Sequence, residues 1–281
     1  MVWLILFVFG LMIGSFLNVV ALRYDGEHFV LDPKEIGGRS HCPHCRKQLA
    51  WYELIPVASF LIQGGKCRNC KKRIGAWYPL VELLSGLIFL LVPFRLSLAL
   101  AAPVAFSAIW IFAFEVLLLV AYIDIRLGII PDELNIALLV AGFVETWFLA
   151  ANFGIRNPSF FGPFSVFFGL QANVWVNHFA GAVFGAAFFG ALVAVTRGKG
   201  MGVGDVKLAA PLGLLFGWPD ILMLAAFAFV AGAAFGLVAI ALRRKTMGSA
   251  VPFAPFLVLG AVFAFFAGSG FFNWYFRLIG F

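Results

Sequence analysis

Charged residues are scarce in this chain of 281 residues. Asp, Glu, Lys and Arg make up 12% of the sequence, whereas soluble domains contain roughly 25%. Hydrophobic residues make up 63%, and the mean hydropathy is +1.01. The composition therefore excludes an ordinary soluble domain and predicts an all-α polytopic membrane protein.

Several other features are also missing. The first apolar run lacks a basic residue before it and a small-residue cleavage site after it, so we expect a retained transmembrane helix. Segment 24–77 lacks the glycine-rich pattern of a Rossmann methyltransferase domain. The net charge of +7 comes from cations in short segments between apolar runs. We interpret this charge as a topology signal and expect no nucleic-acid partner.

Apolar runs near the length that crosses a bilayer, roughly 20 residues, predict about eight transmembrane helices. The sixth run is short and contains Pro211, so a broken or partly re-entrant element is the alternative there. The runs lie near residues 2–22, 78–93, 97–122, 133–151, 177–196, 206–217, 220–242 and 252–271.

The cations predict how these helices are oriented. In the eight-helix arrangement, 17 of the 20 Lys and Arg residues fall on one side. Only Arg95, Arg156 and Arg277 fall on the other side. The positive-inside rule then places the loop after the first helix in the cytoplasm and both termini outside. A seven-helix arrangement would move the basic run 243–245 outside, which favours keeping the short sixth helix.

The four cysteines form two CxxC pairs within one predicted cytoplasmic loop. They are Cys42, Cys45, Cys67 and Cys70. Two such pairs supply the four thiolates of a tetrahedral Zn(II) site, which leaves no open position for catalysis and is therefore structural. Disulfide pairing is the alternative, and a reducing cytoplasm argues against it.

Two aspartates follow or end apolar runs at the predicted cytoplasmic face. Asp205 closes the sequence Gly202-Val203-Gly204-Asp205, and Asp124 lies at the end of the third run. A pair of carboxyl groups at a membrane boundary can divide the work of hydrolysis, one activating water and one donating a proton. Asp132 is the alternative partner, but its place after Pro131 favours capping of the next helix. We therefore predict Asp124 and Asp205 as the catalytic pair.

The motifs, taken in order, resemble the bacterial type IV prepilin peptidases, which are leader peptidases and N-methyltransferases of type IV pilus and type II secretion systems. The resemblance extends over nearly the whole chain. It rests on Gly14–Val20, the two CxxC pairs, Tyr78–Glu82, Asp124 with Ile130–Asp132, Gly202–Lys207 and Pro252–Phe256.

The resemblance implies an activity and its substrates. A metal-independent aspartyl protease, using Asp124 and Asp205, would cleave the basic leader of a prepilin or pseudopilin after a Gly. S-adenosylmethionine would then methylate the new N-terminal residue, often Phe. Candidates for a part in methyl transfer are Glu53, Glu82 and Gly86, for which structural roles are the alternative.

The predicted organisation has three parts. Residues 1–23 form the first transmembrane helix, 24–77 the cytoplasmic four-cysteine zinc module, and 78–281 the peptidase bundle. The protein is expected in the bacterial inner membrane, in contact with membrane lipids. A transporter coupled to ions or protons, with a regulatory zinc module, is the alternative function. A non-enzymatic scaffold for secretion is a further rival. The sequence makes no prediction of oligomeric state.

Overall fold

The computed structural model describes residues 1–100, 104–153, 160, 170, 173–243 and 251–278. Across these residues the regular structure is helical, with two isolated antiparallel bridges, His41 to Gln48 and Lys66 to Arg73. The helices are α1 (Val2–Arg23), α2 (Pro33–Ile36), a 3-10 turn (Trp51–Glu53), α3 (Ala58–Ile62), α4 (Trp77–Leu100), α5 (Val104–Leu127), α6 (Asp132–Phe153), α7 (Val174–Thr196), α8 (Val203–Phe216), α9 (Asp220–Ala241) and α10 (Ala254–Leu278).

Seven of the described helices are long and apolar enough to cross a membrane: α1, α4, α5, α6, α7, α9 and α10. The predicted sixth span corresponds to α8, which has only 14 residues. At 1.5 Å per residue it is about 21 Å long, shorter than a hydrocarbon core of about 30 Å. The structure confirms an all-helical membrane protein whose cysteine loop lies between the first two membrane helices. The count of about eight is met by seven long helices and this short one.

The chain forms two compact units, Met1–Leu119 and Val120–Phe281, with the boundary inside α5. In the first unit α1 packs closely on α4, because glycines remove side chains from their crossing. A Cβ on Gly10 would lie 2.8 Å from Gly86 Cα, and a Cβ on Gly14 would lie 2.7 Å from Glu82 Cα. The finer predicted division at residues 23 and 77 stays a prediction.

In the second unit, the short helix α8 packs against α6, α7, α9 and α10. Its contact with α7 brings two small-residue pairs together, Gly181 and Gly185 on α7 with Ala209 and Gly213 on α8. Small residues four positions apart allow backbones to approach closely in membrane helices. Most of α8 beyond Lys207 is buried as a result.

Some sequence predictions fall outside the described residues. They include Arg156, one of the three cations predicted on the side with few cations, and the basic residues Arg244 and Lys245. The structure therefore leaves the predicted distribution of cations as a prediction.

Candidate active site and metal centre

Asp205 lies in the first turn of α8, and 7% of its surface is exposed. Gly202 precedes the helix, and its backbone N–H donates to Asp205 Oδ2 at 3.2 Å. This bond satisfies one of the amides that a helix leaves free at its start. The glycine sequence therefore forms a helix start that holds the carboxyl group in place.

Asp124 lies near the end of α5 and is 5% exposed. Its Oδ2 accepts a hydrogen bond of 3.1 Å from the N–H of Ala254, the first residue of α10. Pro255 follows and has no N–H, so Ala254 is the donor that this motif offers at the helix start. The positive end of the helix dipole stabilises a carboxylate at this position.

The two carboxyl groups lie in the same compact unit and interact electrostatically. Both are buried, and both accept a hydrogen bond from a backbone N–H at a helix start. The structure thus brings the two predicted catalytic residues together. Their catalytic role itself is a proposal, given below.

The segment between α5 and α6 supports this arrangement. A Cβ on Gly204 would lie 3.4 Å from Ile130, so the start of α8 packs directly on this segment. Lys207 Nζ lies 2.8 and 2.9 Å from the two carboxylate oxygens of Asp132. Asp132 is in the first turn of α6, where an acid is favourable. Asp132 therefore forms an ion pair with Lys207 and also lies at the start of α6.

The four cysteines meet in one cluster, as their spacing predicts. Their Sγ atoms all lie within 4.8 Å of one another. The backbone N–H of Lys47 lowers the pKa of the Cys45 thiol to about 6, and the backbone N–H of Cys70 lowers that of Cys67. Although the backbone N–H of Lys72 lowers it, burial and the hydrogen bonds of the other three thiols raise the pKa of Cys70 to about 11. Thiolates are the form that binds metal, and a bound metal ion would deprotonate this thiol as well. The donor set and its compactness therefore fit a tetrahedral metal ion.

A cavity of about 420 Å³ lies in the first unit, between the cysteine loop and helices α1 and α4. Glu53 and Glu82 are among the residues that line it. Glu53 Oε2 accepts from Ala50 N at 3.0 Å, and Glu82 Oε2 accepts from Val57 N at 2.8 Å. Gly86, the third candidate, instead lies at the α1–α4 crossing, where a Cβ would be 2.9 Å from both Phe7 and Leu11 side chains.

Sequence reasoning missed a second buried polar cluster. Glu145, His178 and Asp220 are each at most 2% exposed. His178 Nδ1 lies 2.6 Å from Leu214 O and 3.5 Å from Glu145 Oε2. Glu145 and Asp220 interact electrostatically. The available signal was an acid inside an apolar run, which membrane helices accept only at a cost.

The chain matches two protein-family models. Residues 8–96 match the bacterial peptidase A24 N-terminal domain, and residues 111–237 match the type IV leader peptidase family. The first match contains the cysteine loop, and the second contains both candidate aspartates. No solved structure matches the chain.

Similar curated proteins cover almost the whole chain. The prepilin leader peptidase/N-methyltransferase of Bacillus subtilis is 33% identical over 279 residues, 98% of each chain. The protein of the same name from Burkholderia pseudomallei is 34% identical over 289 residues, which cover 94% of this chain and 85% of the relative. That of Aeromonas hydrophila is 30% identical, covering 96% and 92%. The two family models and these relatives together show that this chain belongs to the type IV leader peptidase family.

Proposed function

We propose that this protein removes the leader peptide from type IV prepilins or type II secretion pseudopilins and then methylates the new N-terminus. The observation that carries the first step is the pair of buried carboxyl groups, Asp124 and Asp205, each bonded to the backbone at a helix start. Family membership supports this peptidase function over the alternative of a transporter.

Leader cleavage needs one carboxylate and one carboxylic acid. The carboxylate takes a proton from a water molecule, which attacks the carbonyl carbon of the scissile bond. The protonated partner donates to the carbonyl oxygen. The tetrahedral intermediate then collapses as the leaving amine gains a proton, and the bond after the leader's Gly breaks. Two interacting carboxyl groups favour this division because one is easier to ionise when the other is neutral.

Methyl transfer is assigned to the cavity in the first unit. A volume of about 420 Å³ lies in the range of small-molecule sites. Glu53 brings an acidic side chain to its wall, Phe60 and Tyr78 bring aromatic rings, and Arg23, Lys72 and Arg73 bring basic side chains. The Glu53 carboxylate and the ring faces attract cations and so suit the sulfonium group of S-adenosylmethionine, while the basic side chains suit its carboxylate group. The methyl group would pass to the free α-amine of the cleaved substrate, and the sulfonium would become a thioether.

We further infer the site's orientation and its lipid environment. The cysteine loop and the aspartate pair would face the cytoplasm of the bacterial inner membrane, with both termini in the periplasm. The bias of the Lys and Arg residues supports this orientation. A basic leader is present on that face before export.

The decisive experiment is mass spectrometry of a prepilin after incubation with the purified protein. Without S-adenosylmethionine, we expect the mass of the substrate to fall by that of its leader. With it, the mature product should gain one methyl group, about 14 Da, because an amine proton is replaced by a methyl group. An intact prepilin under both conditions would contradict the proposed function.

The metal in the cysteine cluster should be zinc with a structural role. We expect about one zinc ion per chain in the wild type and almost none after Cys67→Ser with Cys70→Ser, because four thiolates form the site. Methyl transfer should be lost, since Cys42 and Cys67 line the cavity. Leader hydrolysis should persist, because no step of it uses the metal.

His44→Ala is the matched control for that variant, since His44 lies between the first two ligands. We expect it to keep its zinc, measured by elemental mass spectrometry. Loss of zinc from His44→Ala would show that the ligand set is not the four cysteines.

A further inference from the structure

The loop before α3 contains a strained turn centred on Val57. Its backbone has φ 58° and ψ −50°, and the Ala58 N–H donates to Pro56 O at 2.5 Å. A hydrogen bond between residues two apart with these angles defines a γ-turn of the rare, strained kind. A β-branched residue with positive φ is a true outlier. Strain of this kind persists only where the surrounding structure holds it.

The side chain of Glu82 holds this turn. Its Oε2 accepts the Val57 N–H at 2.8 Å, and the Ser15 hydroxyl forms a further hydrogen bond to it. Glu82 is 8% exposed. Gly14 keeps α1 close to α4 at this level, because any larger residue would strike the Glu82 backbone. One buried carboxyl group therefore ties the turn to the crossing of two membrane helices.

The turn connects residues that form one wall of the cavity. Leu54 precedes it and lines the cavity, and Ser59 and Phe60 follow it and line the cavity as well. Glu82 and Ser15 also lie in the lining. If the Val57 turn relaxed to an ordinary conformation, the path of the chain from Leu54 to Phe60 would change, and the wall would move with it.

We propose that Glu82 is a positioning residue for methyl transfer, which holds the strained Val57 turn and so fixes the wall of the methyl-donor cavity. The inference rests on the proposed methyltransferase function of that cavity. It assigns Glu82 a role through the backbone of Val57, without contact to the reacting atoms. Besides the backbone hydrogen bond from the Ser59 N–H to Ile55 O, this carboxyl group is the contact that holds the turn.

The test uses full-length protein in lipid nanodiscs and four variants, Glu82→Ala, Glu82→Gln, Val57→Gly, and Glu82→Ala with Val57→Gly. For Glu82→Ala we expect the KM for S-adenosylmethionine to rise about tenfold, because the hydrogen bond that holds the Val57 turn is lost. Leader cleavage should change less than about twofold, because the proposed hydrolysis uses Asp124 and Asp205 and no step of it uses the methyl donor. Glu82→Gln should stay near the wild type, since its amide oxygen can accept the same N–H.

The double variant separates positioning from direct binding. Glycine adopts positive φ without strain, so Val57→Gly should recover most of the KM lost in Glu82→Ala. Val57→Gly alone should leave the KM near that of the wild type. A high KM that persists in the double variant would overturn the proposal, because Glu82 would then bind the donor itself. An unchanged KM in Glu82→Ala would overturn it too.

Hydrogen–deuterium exchange of the peptide spanning 54–63 tests the turn without any substrate. We expect faster exchange in Glu82→Ala than in the wild type, and wild-type exchange in Glu82→Gln. If the wild type cleaves prepilin but transfers no methyl group, the proposed methyl transfer fails, and this measurement still decides whether Glu82 holds the turn. Equal exchange in Glu82→Ala and the wild type would show that it does not.

Discussion

Asp124→Asn and Asp205→Asn should each lower the rate of leader cleavage by about a thousandfold, the scale of general acid–base catalysis. Asparagine has nearly the same shape as aspartate. Its side-chain oxygen can still accept the hydrogen bond that Asp124 accepts from Ala254 N–H, or that Asp205 accepts from Gly202 N–H. It cannot take up or release the proton that hydrolysis requires. Cleavage of a purified prepilin, followed over time by mass spectrometry, measures the effect.

Asp132→Asn is the control, because Asp132 is the other acid near this site and is paired with Lys207 on the protein surface. Exposed ion pairs contribute little stability, so loss of this pair should leave the site folded. The cleavage rate of Asp132→Asn should therefore fall less than about tenfold. The zinc content and thermal unfolding of all three variants should match the wild type. A loss in Asp132→Asn as large as in Asp205→Asn, with Asp124→Asn active, would assign the second catalytic role to Asp132.

Gly213→Ala should destabilise the second unit and lower its activity. A Cβ at this position would lie 2.5 Å from the carbonyl carbon of Gly181 and 2.7 Å from Ala182 N, so two backbones would have to separate. Overpacking of this kind costs about 1–3 kcal/mol, and contacts with backbone relax least. Because α8 also carries Asp205, its displacement should reduce cleavage before the protein unfolds. Thermal unfolding in detergent and the cleavage rate are the two measurements.

Gly236→Ala in α9 is the matched control. No neighbouring heavy atom lies within 4 Å of a Cβ placed there, so the substitution creates no clash. We expect an unchanged or slightly higher melting temperature, since alanine is the better helix former. Equal melting temperatures for Gly213→Ala and Gly236→Ala would contradict the close α7–α8 contact.

The parts of the fold that depend on local pattern were predictable from the sequence. A helix that crosses the bilayer requires a long apolar run, so the seven long helices follow from the positions of such runs in the sequence. The spacing of the two CxxC pairs is typical of a tetrahedral metal site, and the structure brings their sulfur atoms together. The sixth run was the uncertain prediction, and its helix α8 has 14 residues, fewer than any of the seven long helices.

Contacts between distant residues were not predictable. The sequence Pro252–Phe256 was recognised only as a motif, and its bond to a carboxyl group 130 positions earlier appears only in the folded chain. The Val57 turn gives no sequence signal, because valine is not a residue that favours positive φ. The sequence predicted no role for Glu145 or Asp220, whereas the structure places them in one cluster with His178. Each of these depends on how helices pack, which periodicity does not encode.

The enclosure of α8 by four neighbouring helices also determines how the protein meets bilayers of different thickness. Hydrophobic mismatch acts on helices that contact the acyl chains. Such helices adapt to a different bilayer thickness by tilting or by deforming the lipid. The buried part of α8 has protein around it. Asp205 and Gly213 are eight residues apart, about 12 Å along the helix axis. That spacing is set by covalent geometry and protein packing, so it stays constant when the length of the surrounding acyl chains changes.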